Sequence, residues 1–275
     1  MEDKASNINR LITELNKKFD NQVVGRVSDF KNISLEHIKT DLDVLNECLG
    51  GGFPKKRLVE IYGRPGGGKS LMSMLLIKAA QKEGGECVLI DVEDTYNPEF
   101  GEKLGVDNSK LIVVKMGLGE QIMDTIFYLL KAQPSVIVVD SVAAMVAQDE
   151  MKEDADKQFM ALKARLMSKA LPRINVLNKK TCVVFINQIR DTLSLYGGPT
   201  TPGGNALPFY ASIRIEVKRS EFLFEGSKKE APIGQGVVYK IVKNKTADPQ
   251  KTGSFRFYFD GEVVEPGKKR KNEKT

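Results

Sequence analysis

Gly63-Arg64-Pro65-Gly66-Gly67-Gly68-Lys69-Ser70 follows the spacing G-x-x-x-x-G-K-[ST], and Leu71 carries it into an apolar helical stretch. Glycines at such spacing let backbone N–H groups turn inward around a polyphosphate, and the start of a helix adds its positive end. Lys69 supplies a point charge for the terminal phosphates, and Ser70 a hydroxyl for Mg²⁺. The motif carries this meaning only between a strand and a helix; RLVEIYG precedes it and Lys69 to Lys82 reads as a helix after it. A second metal anchor belongs at the end of another strand, where open α/β sheets place ligands. SVIVVDS provides Asp140, which would hold Mg²⁺ through water with Ser141 beside it. Hydrolysis further needs a group that orients or deprotonates water. Glu93, at the end of CVLIDVE, is the candidate, while Asp91 and Asp94 are rivals that spacing alone does not separate. The chemistry is ATP binding with hydrolysis.

The elements that must position these groups alternate between strand and helix, the pattern of an α/β fold with a mostly parallel sheet covered on both faces. CVLIDVE, LIVVKM, SVIVVDS and TCVVFINQ are the compact apolar runs of buried parallel strands. Helical stretches fall at Gly119 to Lys131 and Asp156 to Leu177. From Ala211 onwards ASIRIEV, GVVYKIVK and SFRFYFDG read as further strands with antiparallel members. Ile8, Leu11, Ile12, Leu15 and Phe19 recur at helical spacing ahead of this core. That short helix needs an apolar partner surface, either on its own domain or on a neighbouring subunit. Asp20 to Ser34 reads as a linker, and two stretches, Gln148 to Phe159 and Arg190 to Pro208, interrupt the regular pattern. The expected organisation is helix and linker over 1–34, ATPase core over 35–266 and a basic disordered tail over 267–275.

Composition narrows the classes further. The chain has 275 residues, 41% hydrophobic and 28% charged, ordinary for a globular protein with a substantial core. No run of about 18 apolar residues occurs, and MEDKASNINR lacks a signal-peptide pattern, so a cytoplasmic location without a membrane partner is expected. Cys48, Cys87 and Cys182 are scattered without a CxxC, and His37 is the single histidine, which argues against zinc and against a Cys/His nucleophile pair. The formal net charge is +6, of which the segment Gly267 to Thr275 carries +4. That balance permits a nucleic-acid partner, and the tail fits either a solubilising end or weak DNA contact.

Several longer segments resemble one family. IKTDLDVLNECLGGGFPKKRLVEIYGRPGGGKS is similar to the start of the ATPase core of bacterial RecA-type recombinases, and CVLIDVEDTYNPEFGEKLGVD to their segment with the catalytic glutamate. VIVVDSVAAM resembles their second metal-anchoring strand. VVFINQIR followed by TPGGNALPFYASIRIEVKR resembles their strand, DNA loop and next strand. The likeness spans almost the whole chain, from the N-terminal helix to Gly261, and the brevity is that of a short, phage-encoded member.

The resemblance implies a RecA-like P-loop core with a short N-terminal polymerisation helix, and roles for individual residues. Glu93 would activate water, Phe100 would lie against the adenine with Asn97 near the base, and Gln188 would sense the γ-phosphate. Lys243 and Lys245 would reach an ATP bound at the adjoining subunit, and Phe209 lies where the family passes signals between subunits. Arg190 to Pro208 would be the second DNA loop, with phosphates at Arg190, Gly203, Gly204 and Asn205 and Leu193 as an apolar wedge. By composition alone that stretch is a surface loop; FINQ before it and FYAS after it carry the DNA reading. Met160 to Arg165 would end the first DNA loop, with Arg165 on the strand backbone. Lys218, Arg219 and Lys240 match a site for a second strand, although basic residues on strands also make an ordinary solvated face.

Two departures accompany the likeness. The resemblance leads one to expect no counterpart of the family's C-terminal domain, which helps capture duplex DNA, and a basic segment where bacterial members carry an acidic tail. The loops differ as well: Gln148 to Phe159 is rich in acids, and Asp191 follows Arg190. The expected activity is that of a DNA-dependent ATPase and recombinase, filamentous on single-stranded DNA and pairing it with homologous duplex. A ring-forming DNA motor of the same core fold and a DNA-coating filament without turnover are the alternative classes. IVKNK, TPGGNAL and the N-terminal helix suit the filament, and Glu93 argues against a filament without turnover.

Overall fold

The computed structural model describes residues 2–20, 23–30, 35–148, 159–189, 201–225 and 231–270. They fall into two units, Met1–Glu36 and His37–Thr275. In the first, helix α1 (Glu2–Lys18) leads into a turn held by the Asn16 side chain, which accepts from the backbone N–H of Val23 and Val24 and donates to the carbonyl of Val24. Ile8, Leu11 and Phe19 of the apolar repeat are exposed.

The second unit is built on strands. β1 (His37–Ile38), α2 (Asp43–Leu49) and β2 (Phe53–Pro54) form a small antiparallel ribbon with its helix. β3 (Arg57–Gly63) then enters the main sheet and α3 (Lys69–Lys82) leaves it. There follow β4 (Cys87–Asp91), α4 (Pro98–Leu104), β5 (Leu111–Lys115), α5 (Gly119–Ala132), β6 (Val136–Asp140), α6 (Phe159–Leu177), β7 (Cys182–Gln188) and α7 (Ala206–Tyr210). β8 (Ile213–Phe224), β9 (Pro232–Asn244), β10 (Thr252–Tyr258) and β11 (Val263–Val264) complete the described chain. The sheet order is β11-β10-β9-β8-β3-β7-β6-β4-β5; the strands from β8 to β5 run parallel and β9, β10 and β11 add antiparallel.

Side-chain alternation along the buried strands divides the core between the two faces. Val59, Ile61, Leu89, Val138, Val184 and Ile215 pack with α2, α3 and α4, whereas Leu58, Val88, Ile90, Ile137, Val139 and Phe185 pack with α5, α6 and α7. Each fully buried Leu, Ile or Val contributes about 1.5–3 kcal/mol relative to exposure, so the central strands anchor the fold. α3 is buried nearly all round, which explains its unbroken Leu and Met content. α5 instead buries one stripe, Ile122, Met123, Ile126, Phe127 and Leu130, and exposes Tyr128. All three cysteines are buried free thiols, and burial pushes Cys87 up to about 12. No helix among the described residues is long and apolar enough to cross a membrane.

The C-terminal segment differs from the disordered tail expected over 267–275. Lys268 pairs with Asp43 and Glu265, and Arg270 with Asp260 and Glu262, so residues 267–270 are tied back to α2 and the β10–β11 turn. These ion pairs use two of the tail's cations; residues 271–275 lie outside the described set.

Candidate active site

The site forms at the carboxyl edge of the parallel strands. β3 ends at Gly63, and the loop closes onto the first turn of α3 with Gly66 at φ 69° and Gly68 at φ 101°, conformations that a side chain would strain. A Cβ on Gly63 would also collide with the carbonyl oxygen of Val217, so β8 packs directly beneath the loop. Lys69 is 8% exposed and donates from Nζ to the Arg64 carbonyl at 2.9 Å; burial pushes its amine below the usual lysine range. The Ser70 Oγ donates to Asp140 Oδ2 at 2.6 Å. A hydroxyl and a carboxylate at a helix start are hard oxygen donors, the set that suits Mg²⁺ when phosphates and water complete the shell. Burial, followed by the charge of Glu93, pushes the Asp140 carboxyl above the usual carboxylate range, although Ser70 and Lys69 oppose this. A cation at this point would remove that penalty.

Hydrogen bonds separate the three carboxylates that spacing left open. Asp91 is buried and accepts from the backbone N–H groups of Thr95 and Tyr96, at 3.1 and 2.9 Å, so it fixes the turn after β4. Asp94 pairs with Lys115. Glu93 alone faces the other site groups: its Oε1 accepts from Ser141 Oγ and from Gln188 Nε2, the latter at 3.3 Å. Ser141 follows Asp140, so Ser70, Asp140, Glu93 and Gln188 stand as one group drawn from α3, β6, the turn after β4 and β7.

A cavity of about 240 Å³ opens beside the loop, lined by Gly66, Gly67, Gly68, Lys69, Ser70, Leu71, Phe100, Gln235 and Phe257. Phe100 meets Phe257 edge to face with ring centroids 5.7 Å apart, giving an apolar slot of a kind that suits a planar base. Gln235 donates to the Gly66 carbonyl at 3.4 Å. Sequence reasoning missed Gln235 and Phe257, which come from the distant antiparallel strands β9 and β10. Asn97 is not part of the lining. Its side chain accepts from the Phe100 N–H at 3.1 Å and so caps α4 with Pro98 at the first helical position.

Lys243 and Lys245 lie away from this edge. Lys243 is level with Arg214, itself level with Glu60, and the Lys245 N–H bonds to the Ser212 carbonyl while the Ser212 N–H bonds to Leu58. Leu58 is five residues before Gly63 on β3, so Lys245 sits roughly 16 Å back along the strands, beyond the reach of its own loop. Lys243 donates to the carbonyls of Pro208 and Phe209, at 2.6 and 2.9 Å, and Lys245 stands 5.7 Å from the ring of exposed Phe209.

Of the expected DNA contacts, Arg190 and Leu193 lie outside the described residues, as does the side chain of Met160. Gly203 and Gly204 nonetheless meet the start of α6. A Cβ on Gly204 would approach Ala164 within 2.8 Å and one on Gly203 would touch Met167, so the end of the second loop packs on the first turns of α6 beside exposed Arg165. Asn205 is exposed at the start of α7. Lys218 and Lys240 are exposed and share one face, with Lys240 opposite Glu216. Arg219 does not join them: it stacks 4.2 Å over Phe222, and its Nη1 lies 3.4 Å from where a Cβ on Gly66 would stand. Strand alternation sends adjacent side chains to opposite faces, which divides this trio.

Comparison with known proteins identifies the family. The RecA N-terminal domain family matches residues 6–264. The RecA protein of Mycoplasma mycoides is 37% identical over 95% of this chain and 78% of its own length. That of Mesomycoplasma hyopneumoniae is 39% identical over 93% and 77%, and that of Rickettsia bellii 36% over 97% and 80%. The chain belongs to the RecA family of ATP-dependent recombinases, which act in DNA recombination and repair as DNA-dependent ATPases.

Proposed function

We propose that the chain binds ATP with Mg²⁺, polymerises on single-stranded DNA and pairs that strand with homologous duplex. The single observation behind the reading is Glu93, held by Ser141 and Gln188 next to the Ser70–Asp140 pair. In this reading Gly63 to Leu71 cradle the phosphates, Lys69 contacts the terminal ones, and the base enters between Phe100 and Phe257. Mg²⁺ at Ser70 and Asp140 would neutralise charge on the phosphate oxygens. Glu93 orients and deprotonates the attacking water, which adds to the γ-phosphorus as ADP leaves. Gln188 contacts the γ-phosphate and ties its presence to the loop that begins two residues later.

Lys243 and Lys245 complete the site of a neighbouring copy. Their place, about 10 Å (Lys243, level with Glu60) and about 16 Å (Lys245) back along the strands from their own loop, supports an action in trans. A cation supplied across an interface stabilises transition-state charge only when subunits are docked, which makes turnover depend on assembly. α1, with its exposed apolar stripe, serves as the polymerisation helix. The single strand lies along Arg165, Gly203, Gly204 and Asn205, with Met160, Arg190 and Leu193 on the adjoining loops, and Lys218 and Lys240 face the incoming duplex. Such contacts are directed at the backbone, so binding tolerates sequence and weakens with salt.

Strand exchange tests the whole reading: a single-stranded circle and a homologous linear duplex are incubated with the chain and ATP. Joint molecules that need both homology and ATP are expected. DNA binding and turnover without any joint molecules would contradict the pairing step.

A further inference from the structure

A polar strip crosses four strands on one face of the sheet. Glu60 of β3 and Asn187 of β7 are both fully buried. Glu60 Oε2 accepts from Arg214 Nε at 2.6 Å, and Oε1 accepts from Asn187 Nδ2 at 3.1 Å. The same amide nitrogen donates to the Pro202 carbonyl at 2.9 Å, and Asn187 Oδ1 accepts from the Gln188 N–H at 3.0 Å. Arg214 lies 4.6 Å over the Tyr62 ring and is the cross-strand partner of Lys243, which holds the carbonyls of Pro208 and Phe209. The groups run in sequence from Glu93 through Gln188, Asn187, Glu60 and Arg214 to Lys243 and α7. A buried carboxylate paired in this way is no better for stability than an apolar residue of similar volume, so the strip calls for another explanation.

We propose that Glu60, Asn187 and Arg214 are positioning residues that couple a protomer's own nucleotide to the face bearing Lys243 and Phe209, and through it to the nucleotide of the adjoining protomer. This rests on the reading that Gln188 contacts the γ-phosphate and Lys243 acts in trans. When Gln188 moves toward phosphate, its N–H pulls on Asn187, whose amide is shared between Glu60 and the end of the second loop. Asn187, Glu60 and Arg214 are hydrogen-bonded in turn, so a shift of one leaves a buried group unpaired unless the next one follows, and Arg214 meets Lys243 across the strands as a like charge. The coupling therefore runs both ways along the strip.

The test compares the full chain with Asn187→Ala, Arg214→Lys, the double variant and Lys243→Ala. The readouts are binding of a fluorescent ATP analogue without DNA, DNA-stimulated kcat, and the steepness of turnover against ATP concentration. Asn187→Ala and Arg214→Lys are expected to bind nucleotide within about twofold of the native chain, lose about tenfold in DNA-stimulated kcat and lose the steepness. The double variant should lose little more than the worse single one, as members of one network do. Asn187→Ala removes no charge and carries the test alone if Arg214→Lys does not fold. Native stimulation and steepness in the single variants, with Lys243→Ala inactive, would overturn the proposal while leaving the trans lysine intact. Parallel loss of nucleotide binding and turnover would reduce the strip to a structural role and equally overturn it. Full activity of Lys243→Ala would remove the underlying reading and the proposal with it.

Discussion

Replacing Glu93 by glutamine isolates one property of the site. Glutamine has the same size, and its Oε1 can accept from Ser141 Oγ and Gln188 Nε2 as the carboxylate does. The charge and the basicity are lost. Glu93 also helps to hold the Asp140 carboxyl above its ordinary range, so its neutralisation moves Asp140 back toward the ionised form that favours a cation. Nucleotide affinity should therefore be unchanged or stronger. Loss of a general base costs about 10²–10⁴ in rate, or roughly 3–5 kcal/mol of barrier. Single-turnover hydrolysis of labelled ATP on saturating single-stranded DNA, beside an equilibrium binding titration, measures both. Turnover within about tenfold of native would refute the reasoning and move water activation elsewhere. Weakened binding would refute the geometry on which it stands.

Three further outcomes follow from the same site. Lys69→Ala removes the buried cation of the loop and should weaken nucleotide binding by about 100-fold or more, read by titration of a fluorescent analogue; retained affinity would displace the phosphate site. Asp140 has a folded value above its unfolded one, so its ionised form costs stability at every pH above that folded value, and the cost fades as pH falls through it. Asp140→Asn should accordingly melt no lower than the native apo chain at neutral pH and higher when the penalty is appreciable, while losing Mg²⁺-dependent turnover; a lower melting temperature would contradict the burial argument. Phe257→Ala should weaken ATP but not inorganic triphosphate in a competition titration, and should cost about 3–5 kcal/mol of stability by emptying a buried aromatic site. Equal weakening of both ligands would remove Phe257 from the base slot.

Local chemistry made much of this legible in the amino-acid sequence. RLVEIYG coincides with β3, and the Gly-rich turn leads into α3 at Lys69, because the motif, its strand and its helix are one contiguous unit. CVLIDVE, SVIVVDS and TCVVFINQ coincide with the buried strands β4, β6 and β7, whereas LIVVKM is the edge strand β5, where Ile112 is exposed and Val113 and Val114 are half-buried. β8 and β9 extend further than their apolar segments, since Lys218 to Glu221 are exposed and cross-strand hydrogen bonding, with Arg219 stacked on Phe222, carries the two strands onward. Gln235 and Phe257 escaped notice because antiparallel addition at one edge of the sheet brings them to a loop about 170 residues earlier, as the Gln235–Gly66 bond shows. Choosing Glu93 over Asp91 and Asp94 required knowing which backbone groups the rivals bind. The capping role of Asn97 could have been read from the Pro98 that follows it.

The most direct test of the central claim is the rate of ATP hydrolysis with and without single-stranded DNA, with electron microscopy of the same mixture. The account predicts strong stimulation by DNA accompanied by helical filaments, since Lys243 and Lys245 are too far from their own loop to act without a docked neighbour. DNA-independent turnover, or closed rings in place of filaments, would contradict it.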